Sequence, residues 1–387
     1  MTTADTTIAT PGGVLDAARR LAPSIAARAD EIEAGRRVPR DLLDELIAAR
    51  VFRVARPATH GGVDADLPGA MRVYEALARA DASVGWTVMI GSGSWCDLAS
   101  LPRATFDELF SDAPDVITAG VFNPTGSIAP DDDGYRATGR WSFASGCEHA
   151  DWIYGNCVEA VVDGVPRLRI AVFSPDQVVI EDTWTVSGLC GTGSHHFHVD
   201  SVFVPAERTL DPMGDPPALD HPIVRIPIPA LIALAVASVA VGCAQGALDD
   251  IVAVAAEKVP LLDRRPLAAN PTFQLELATA DTELAAARAL IYERAEAAWE
   301  AATDAAEFTL QDRARIRAAA AWATERAADV VRAAYRAGGG GSIYATSPLQ
   351  RRLRDIDALT QHFLVRRDTM TTAGAILAGQ EIDVPVF

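Results

Sequence analysis

The spacing of hydrophobic residues changes twice along this chain, and that double change limits the folds open to it more than any single motif. Over residues 13–110 apolar side chains recur at helical intervals. In "VLDAARRLAPSIAARADEIEAG" the residues Val14, Ala17, Leu21, Ile25 and Ile32 fall near one face. "PRDLLDELIAARVF", "LPGAMRVYEALARAD" and the apolar, glycine-containing "SVGWTVMIGSGSWCDLASLP" predict three more helices. From about residue 114 to 205 the period falls towards two. Short runs such as "DVITAGVF", "GYRATGRWSFAS", "DWIYGNCVEAV", "RLRIAVFS" and "HHFHVDSVFVP" alternate with turns at Asp133-Gly134, Asp163-Gly164 and Ser174-Pro175. From about 226 onwards the helical period returns in longer stretches, and Leu277, Leu284, Ile291 and Ala298 repeat every seven residues as in a helical bundle. The expected division is a helical domain over 1–112, a β-sheet or barrel over 113–212, and a bundle over 213–387.

Charge and cysteine usage remove several function classes. The formal net charge is −18, the wrong sign for a nucleic-acid groove or for adsorption to an anionic membrane. Any anionic ligand must then be held by local arginines or helix N-termini. Cys96, Cys147, Cys157, Cys190 and Cys243 are scattered, odd in number and form no C-x-x-C pair, so neither a disulfide framework nor a zinc site is expected. With no basic-then-apolar leader at the N-terminus, a cytoplasmic location is expected. Residues 226–243, "IPIPALIALAVASVAVGC", are apolar enough to imitate a membrane span, yet two prolines interrupt their start. They predict a helix buried on all sides.

Several motifs then go beyond texture. "DASVGW" (residues 81–86), "FNPTGSI" (122–128), "GYRATGRWSFASGCEHADW", "VSGLCGTGSHHFHVDSVFVP" and "GGGGSIYATSPLQRRLRDI" occur in an order and at a spacing that resembles the acyl-CoA dehydrogenase fold over nearly the whole chain. The resemblance implies an α+β architecture: an N-terminal helical domain, a middle β-barrel and a C-terminal four-helix bundle. It also implies a flavin and a homotetramer built as a dimer of dimers, or failing that a dimer. A flavin ring wants an aromatic wall and polar groups along its edge. Trp141, Phe143 and Ser145, alternate residues of one strand, are expected to share a face and supply both. Asn123 falls in the family's first flavin-contacting loop. Arg265, Phe273 and Gln274 match a segment that meets the cofactor, usually across a subunit interface. The glycine loop with Gly339 and Gly340, and Arg354 of the following helix, match the remaining contacts. Bland readings stay open: Trp141 and Phe143 as barrel core, Arg265 as a surface residue, the glycine loop as a helix cap.

A dehydrogenase of this family needs a carboxylate base. The resemblance puts it eight residues after Asp355, where Phe363 stands, or on the first long bundle helix, where residues 223–247 contain no Asp or Glu. Both places lack a base. Instead "RDIDALTQH" resembles a sister branch of the fold, the two-component flavin-dependent monooxygenases. These take reduced FAD or FMN from a separate NAD(P)H-dependent reductase and react it with O2 to a C4a-hydroperoxyflavin that oxygenates the substrate. In that branch a serine matching Ser145 is thought to bond flavin N5, and a histidine matching His362 sits beside the substrate. An imidazole titrating near neutral pH suits that work; the alternative is a helix histidine bonded to a neighbouring carbonyl. Trp86, Ser92 and His195 are expected to line the pocket of a small aromatic such as a phenol or indole. "HHFH" does not make a metal site, because same-face residues on a strand diverge by about 6.6 Å. No G-x-G-x-x-G follows a strand, in keeping with NAD(P)H being used by another protein. N-hydroxylation of an amine, a desaturating dehydrogenase or oxidase, and a flavin-free homologue are the rival readings.

Overall fold

The computed structural model describes residues 10–111 and 115–382. The expected boundary at 112/113 lies outside the described residues. Six helices open the described residues: α1 Pro11–Ala27, α2 Ala29–Gly35, α3 Arg40–Ala48, α4 Leu67–Ala80, α5 Ala82–Gly93 and α6 Arg103–Phe110. Their starts follow local chemistry. Asp66 accepts the Gly69 N–H at 2.7 Å to cap α4, and Asp81 accepts the Val84 N–H at 3.1 Å to cap α5. Val14, Ala17, Ile25 and Ile32 are buried on one side of α1 and α2, as their spacing requires. α5 is buried almost all round and runs through the interior.

Seven strands follow: β1 Thr118–Asp131, β2 Gly134–Ala144, β3 Trp152–Val162, β4 Val165–Phe173, β5 Val179–Glu181, β6 His195–Pro205 and β7 Thr209–Leu210. They form one mixed sheet in the order β5-β6-β2-β1-β3-β4-β7, with β1 and β3 parallel and the other pairs antiparallel. "FNPTGSI" does not form a loop; it lies within β1, with a register shift between Val121 and Gly126. The sheet is not a closed barrel, since β5 and β7 end it without pairing to each other. It does curl. Phe173 on β4 and Phe197 on β6 are four strand steps apart, about 19 Å in a flat sheet, yet their ring centroids lie 6.5 Å apart.

The chain closes with α7 Pro222–Arg225, α8 Ile228–Glu257, α9 Pro271–Thr303, α10 Leu310–Gly338, α11 Pro348–Leu359 and α12 Thr369–Leu377. α8 contains the apolar stretch, and 89% of its most apolar window is buried inside the protein. Leu284, Ile291 and Ala298 of α9 are buried in the same core, with Leu277 half-buried beside them.

A buried arginine joins these parts. Arg352 on α11 donates to the carbonyls of Ala78, Arg79 and Ala80 at the end of α4, at 3.2, 2.7 and 3.2 Å, and to Asp250 of α8 at 3.1 Å. One turn on, Asp355 accepts the Leu189 N–H at 2.7 Å, which draws the segment before β6 onto α11. There Gly188 lies so close that a Cβ would fall 2.0 Å from the Arg354 carbonyl oxygen. Burial pushes the carboxyls of Asp81 and Asp355 up, and Arg352 opposes that rise in both. Replacing Arg352 by Met strands Asp250 and three helix-end carbonyls. It should cost about 3–5 kcal/mol of stability, read as a lower denaturation midpoint; an unchanged midpoint contradicts this role.

Candidate active site

The site forms where α5, the end of β2, the segment before β6 and the turn after α11 converge. β2 reaches it through a bulge. Its pairing with β6 slips between Trp141 and Ala144, and Phe143 sits at φ +70°. A bulge re-aims the side chains on either side of it, so Trp141 and Phe143 do not share a face. Trp141 turns into the curled sheet and is completely buried. It stacks on Phe197 at 4.8 Å, and its indole N–H donates to the Asn156 carbonyl at 2.8 Å. Glycines make room for it: Cβ atoms at Gly126, Gly139 and Gly155 would lie 2.3, 2.6 and 2.5 Å from its ring. Trp141 is therefore sheet core with no face to offer a cofactor. Phe143 is 69% exposed. Trp184 and His196 stand edge-on to it at 6.1 and 6.3 Å.

Just past the strand, the buried Ser145 hydroxyl accepts the indole N–H of Trp86 at 3.0 Å and contacts the Ser194 hydroxyl at 2.7 Å. Ser194 contacts Thr192 Oγ1 at 2.7 Å, and Thr192 donates to the Leu189 carbonyl at 2.8 Å. His362 also packs against Trp86, the two rings close to perpendicular with centroids 5.4 Å apart. Three residues from distant parts of the chain, Ser145, Trp86 and His362, thus meet around one indole.

His362 is not on a helix. α11 ends at Leu359, where the Thr360 hydroxyl bonds back to the Asp357 carbonyl at 2.7 Å. His362 follows in a turn whose carbonyl accepts the N–H groups of Val365 and Arg366. Leu364 and Val365 fold inward, whereas Phe363, at the position where the dehydrogenases keep their base, is 57% exposed. His362 Nδ1 is buried and meets no hydrogen-bond partner among the described residues. Burial, and secondarily the charge of the buried Arg317, lowers the imidazole pKa to about 4. The ring is therefore neutral at pH 7 and not half-titrated, as the sequence had suggested.

Other expected contacts fall elsewhere. Ser92 is fully buried and donates to the Tyr74 hydroxyl at 2.8 Å, within the helical core. His195 spends Nδ1 accepting the backbone N–H groups of Thr183 and Trp184, both at 3.2 Å, so it pins that turn instead of lining a pocket. Arg354 is held by Glu33 at 2.6 Å, the Ser187 carbonyl at 2.7 Å and Gln350 at 2.7 Å, which leaves its guanidinium bracing α11. Asn123 is exposed on β1. Arg265 and Gln274 are exposed and Phe273 buried at the α8–α9 connection. Gly339 and Gly340 are exposed in the turn after α10, where Lys258 donates to the Gly338 carbonyl. These last five form a second region, with no bond to Ser145, Trp86 or His362 among the described residues. Sequence reading passed over Thr192, Ser194, Trp184 and Arg317; the only signal for the first two was the hydroxyl pair inside "GTGS".

A flavin fits the first region. Exposed Phe143 and Phe363 offer apolar faces, Ser145 a hydroxyl, and His362 an unpartnered ring nitrogen. No group of three His, Cys, Asp or Glu among the described residues could hold a metal. The depressed His362 pKa has a stability consequence. An ordinary imidazole titrates near 6.5, so below that value protonation favours the unfolded chain. Stability present above pH 6.5 is lost as pH falls through 6.5 towards 4. Replacing His362 by Phe should flatten unfolding free energy against pH in that window, measured by urea titration; an unaltered slope contradicts the neutral, desolvated ring.

Comparison with known proteins identifies the family. The family model described as acyl-CoA dehydrogenase, N-terminal domain, matches residues 14–101, and that for acyl-CoA dehydrogenase, C-terminal domain, matches 234–367. The indole-3-acetate monooxygenase of Pseudomonas putida is 32% identical over 355 residues, covering 92% of this chain and 91% of the relative. The oxygenase component of an FADH(2)-dependent resorcinol hydroxylase from a Rhizobium species is 29% identical over 371 residues, 91% of each chain. Among solved structures, XiaF from a Streptomyces species, in complex with FADH2 and glycerol, superposes with a TM-score of 0.90 at 26% identity, covering 97% of this chain and 98% of that one. With both domain models matched, the chain belongs to the acyl-CoA dehydrogenase family, in its flavin-dependent monooxygenase branch.

Proposed function

We propose that this chain is the oxygenase component of a two-component monooxygenase that hydroxylates a small aromatic, a phenol or an indole. Its electrons come from FAD or FMN reduced by a separate NAD(P)H-dependent reductase. The observation that carries this reading is the meeting of Ser145 and His362 at Trp86, with no carboxylate bonded to any of the three among the described residues. A desaturase needs a carboxylate base there. The acyl-CoA dehydrogenase fold without that base, in a chain similar to an indole-3-acetate monooxygenase and a resorcinol hydroxylase, favours oxygen transfer.

Reduced flavin, when bound, supplies the electrons that activate O2. The protein's own residues do the rest. Phe143 and Phe363 give the flat ring apolar contact. The Ser145 hydroxyl meets its polar edge. His362, neutral and desolvated, accepts one hydrogen bond from the substrate's O–H or N–H through a nitrogen that has no other partner among the described residues. Free, buried cysteines suit a reducing cytoplasm. Leu261 and Leu262, 93% and 97% exposed, and Leu275, 69% exposed, sit beside Arg265, Phe273 and Gln274. Such open apolar side chains suit burial in a homotetramer that brings this second region to a neighbouring subunit's cofactor.

The test is a coupled turnover with a flavin reductase, NADH, ¹⁸O2 and indole or phenol. The expected product contains one ¹⁸O atom. His362→Ala should lower product formation by about a hundredfold or more, with O2 diverted to hydrogen peroxide. Desaturation of a substrate without O2, with electrons passing to an artificial acceptor, would overturn the proposal.

A further inference from the structure

The hydroxyl chain behind Ser145 has a fixed direction, and that direction bears on which form of the cofactor the site accepts. A carbonyl oxygen can only accept, so the 2.8 Å contact between Thr192 Oγ1 and the Leu189 carbonyl holds the Thr192 hydroxyl hydrogen. Two oxygens at that distance without a hydrogen between them would repel. Thr192 has no second hydrogen on Oγ1. In its 2.7 Å contact with Ser194, Ser194 must therefore be the donor. Ser194 has then used its own hydrogen, so Ser145 is the donor in the 2.7 Å contact between Ser145 and Ser194. The Trp86 indole N–H, which can only donate, occupies one lone pair of Ser145 Oγ at 3.0 Å. Ser145 is left with one free lone pair and no free hydrogen. All four side chains are buried, at 2% to 7% exposure, so water does not readily reset the chain.

We infer that Thr192 and Ser194, through this relay, set Ser145 as a hydrogen-bond acceptor and make the site selective for reduced over oxidised flavin. The inference rests on the proposed function, in which Ser145 meets the flavin's polar edge, and it takes the atom met there as N5. Reduced flavin carries a hydrogen on N5 and oxidised flavin carries a lone pair there. An acceptor hydroxyl bonds the first and opposes the second. Thr192 and Ser194 are positioning residues in this account: neither needs to touch the cofactor. The same polarity would help oxidised cofactor leave once the substrate has been oxygenated.

The experiment compares dissociation constants of the full-length protein for oxidised flavin, by fluorescence quenching, and for photoreduced flavin under anaerobic conditions, using FAD and FMN. The quantity read is the ratio of the oxidised to the reduced constant. Wild type should show a ratio well above one. Thr192→Val leaves the Ser194 hydrogen without its acceptor, so it turns to Ser145 and frees the Ser145 hydrogen for oxidised N5. Ser194→Ala frees the same hydrogen by a second route. Each should lower the ratio by on the order of tenfold, the size of one hydrogen bond gained or lost. Thr192→Ser keeps the hydroxyl and should keep the wild-type ratio. Unchanged ratios in Thr192→Val and Ser194→Ala overturn the relay, as does an equal fall in Thr192→Ser. A wild-type protein that binds neither flavin form fails differently, by overturning the proposed function and the relay with it.

Discussion

A buried guanidinium, that of Arg352, holds together parts of the chain that are far apart in sequence. It closes the carboxyl end of α4, pairs with Asp250 of α8 and fixes the orientation of α11. Burying a charge is costly unless every donor finds a partner, and here the partners come from two segments distant from α11 itself, the end of α4 and α8. Only the native packing of those segments satisfies it. Asp355, one turn further on, then holds the Leu189 amide and the strand that follows. His362 lies seven residues beyond Asp355, past the end of α11, and Ser194 lies five residues beyond Leu189. The two sides of the site are thus positioned from a single buried polar junction.

The sheet contributes the other half of the geometry. Three glycines let Trp141 occupy the inside of the curl, and the bulge beside it turns Phe143 outward and brings Ser145 under Trp86. A regular β2 would have placed Trp141 and Phe143 side by side, with either both in the core or both towards a ligand. The interruption yields one of each.

Much of the architecture was legible because it depends on local periodicity. The helical spacing of Val14, Ala17, Ile25 and Ile32, the heptad of α9 and the charge-free core of α8 each report a buried face directly. Ser145 and His362 were picked out through motif resemblance and the missing carboxylate, and the structure does bring them to the same indole. What failed depended on distant partners or on strand irregularity. The end of α11 at Leu359 is set by a hydroxyl bonding back to its own helix. The role of His195 follows from two backbone amides at Thr183 and Trp184 that no spacing rule connects to it. The direction of Phe143 follows from a bulge, and the occupation of Arg354 from Glu33, hundreds of residues away in sequence. The hydroxyl chain of Thr192 and Ser194 was hidden because single hydroxyl residues in a glycine-rich turn look like ordinary turn chemistry.

The most direct test of the account is an anaerobic crystal structure with reduced flavin bound. The account predicts the ring against Phe143, the Ser145 hydroxyl within about 3.2 Å of N5, Ser145 still bonded to Trp86 and Ser194, and His362 Nδ1 facing the space beside the reacting edge. A flavin seated elsewhere, with Ser145 bonded only to Trp86 and Ser194 and His362 turned away from the ring, would contradict it.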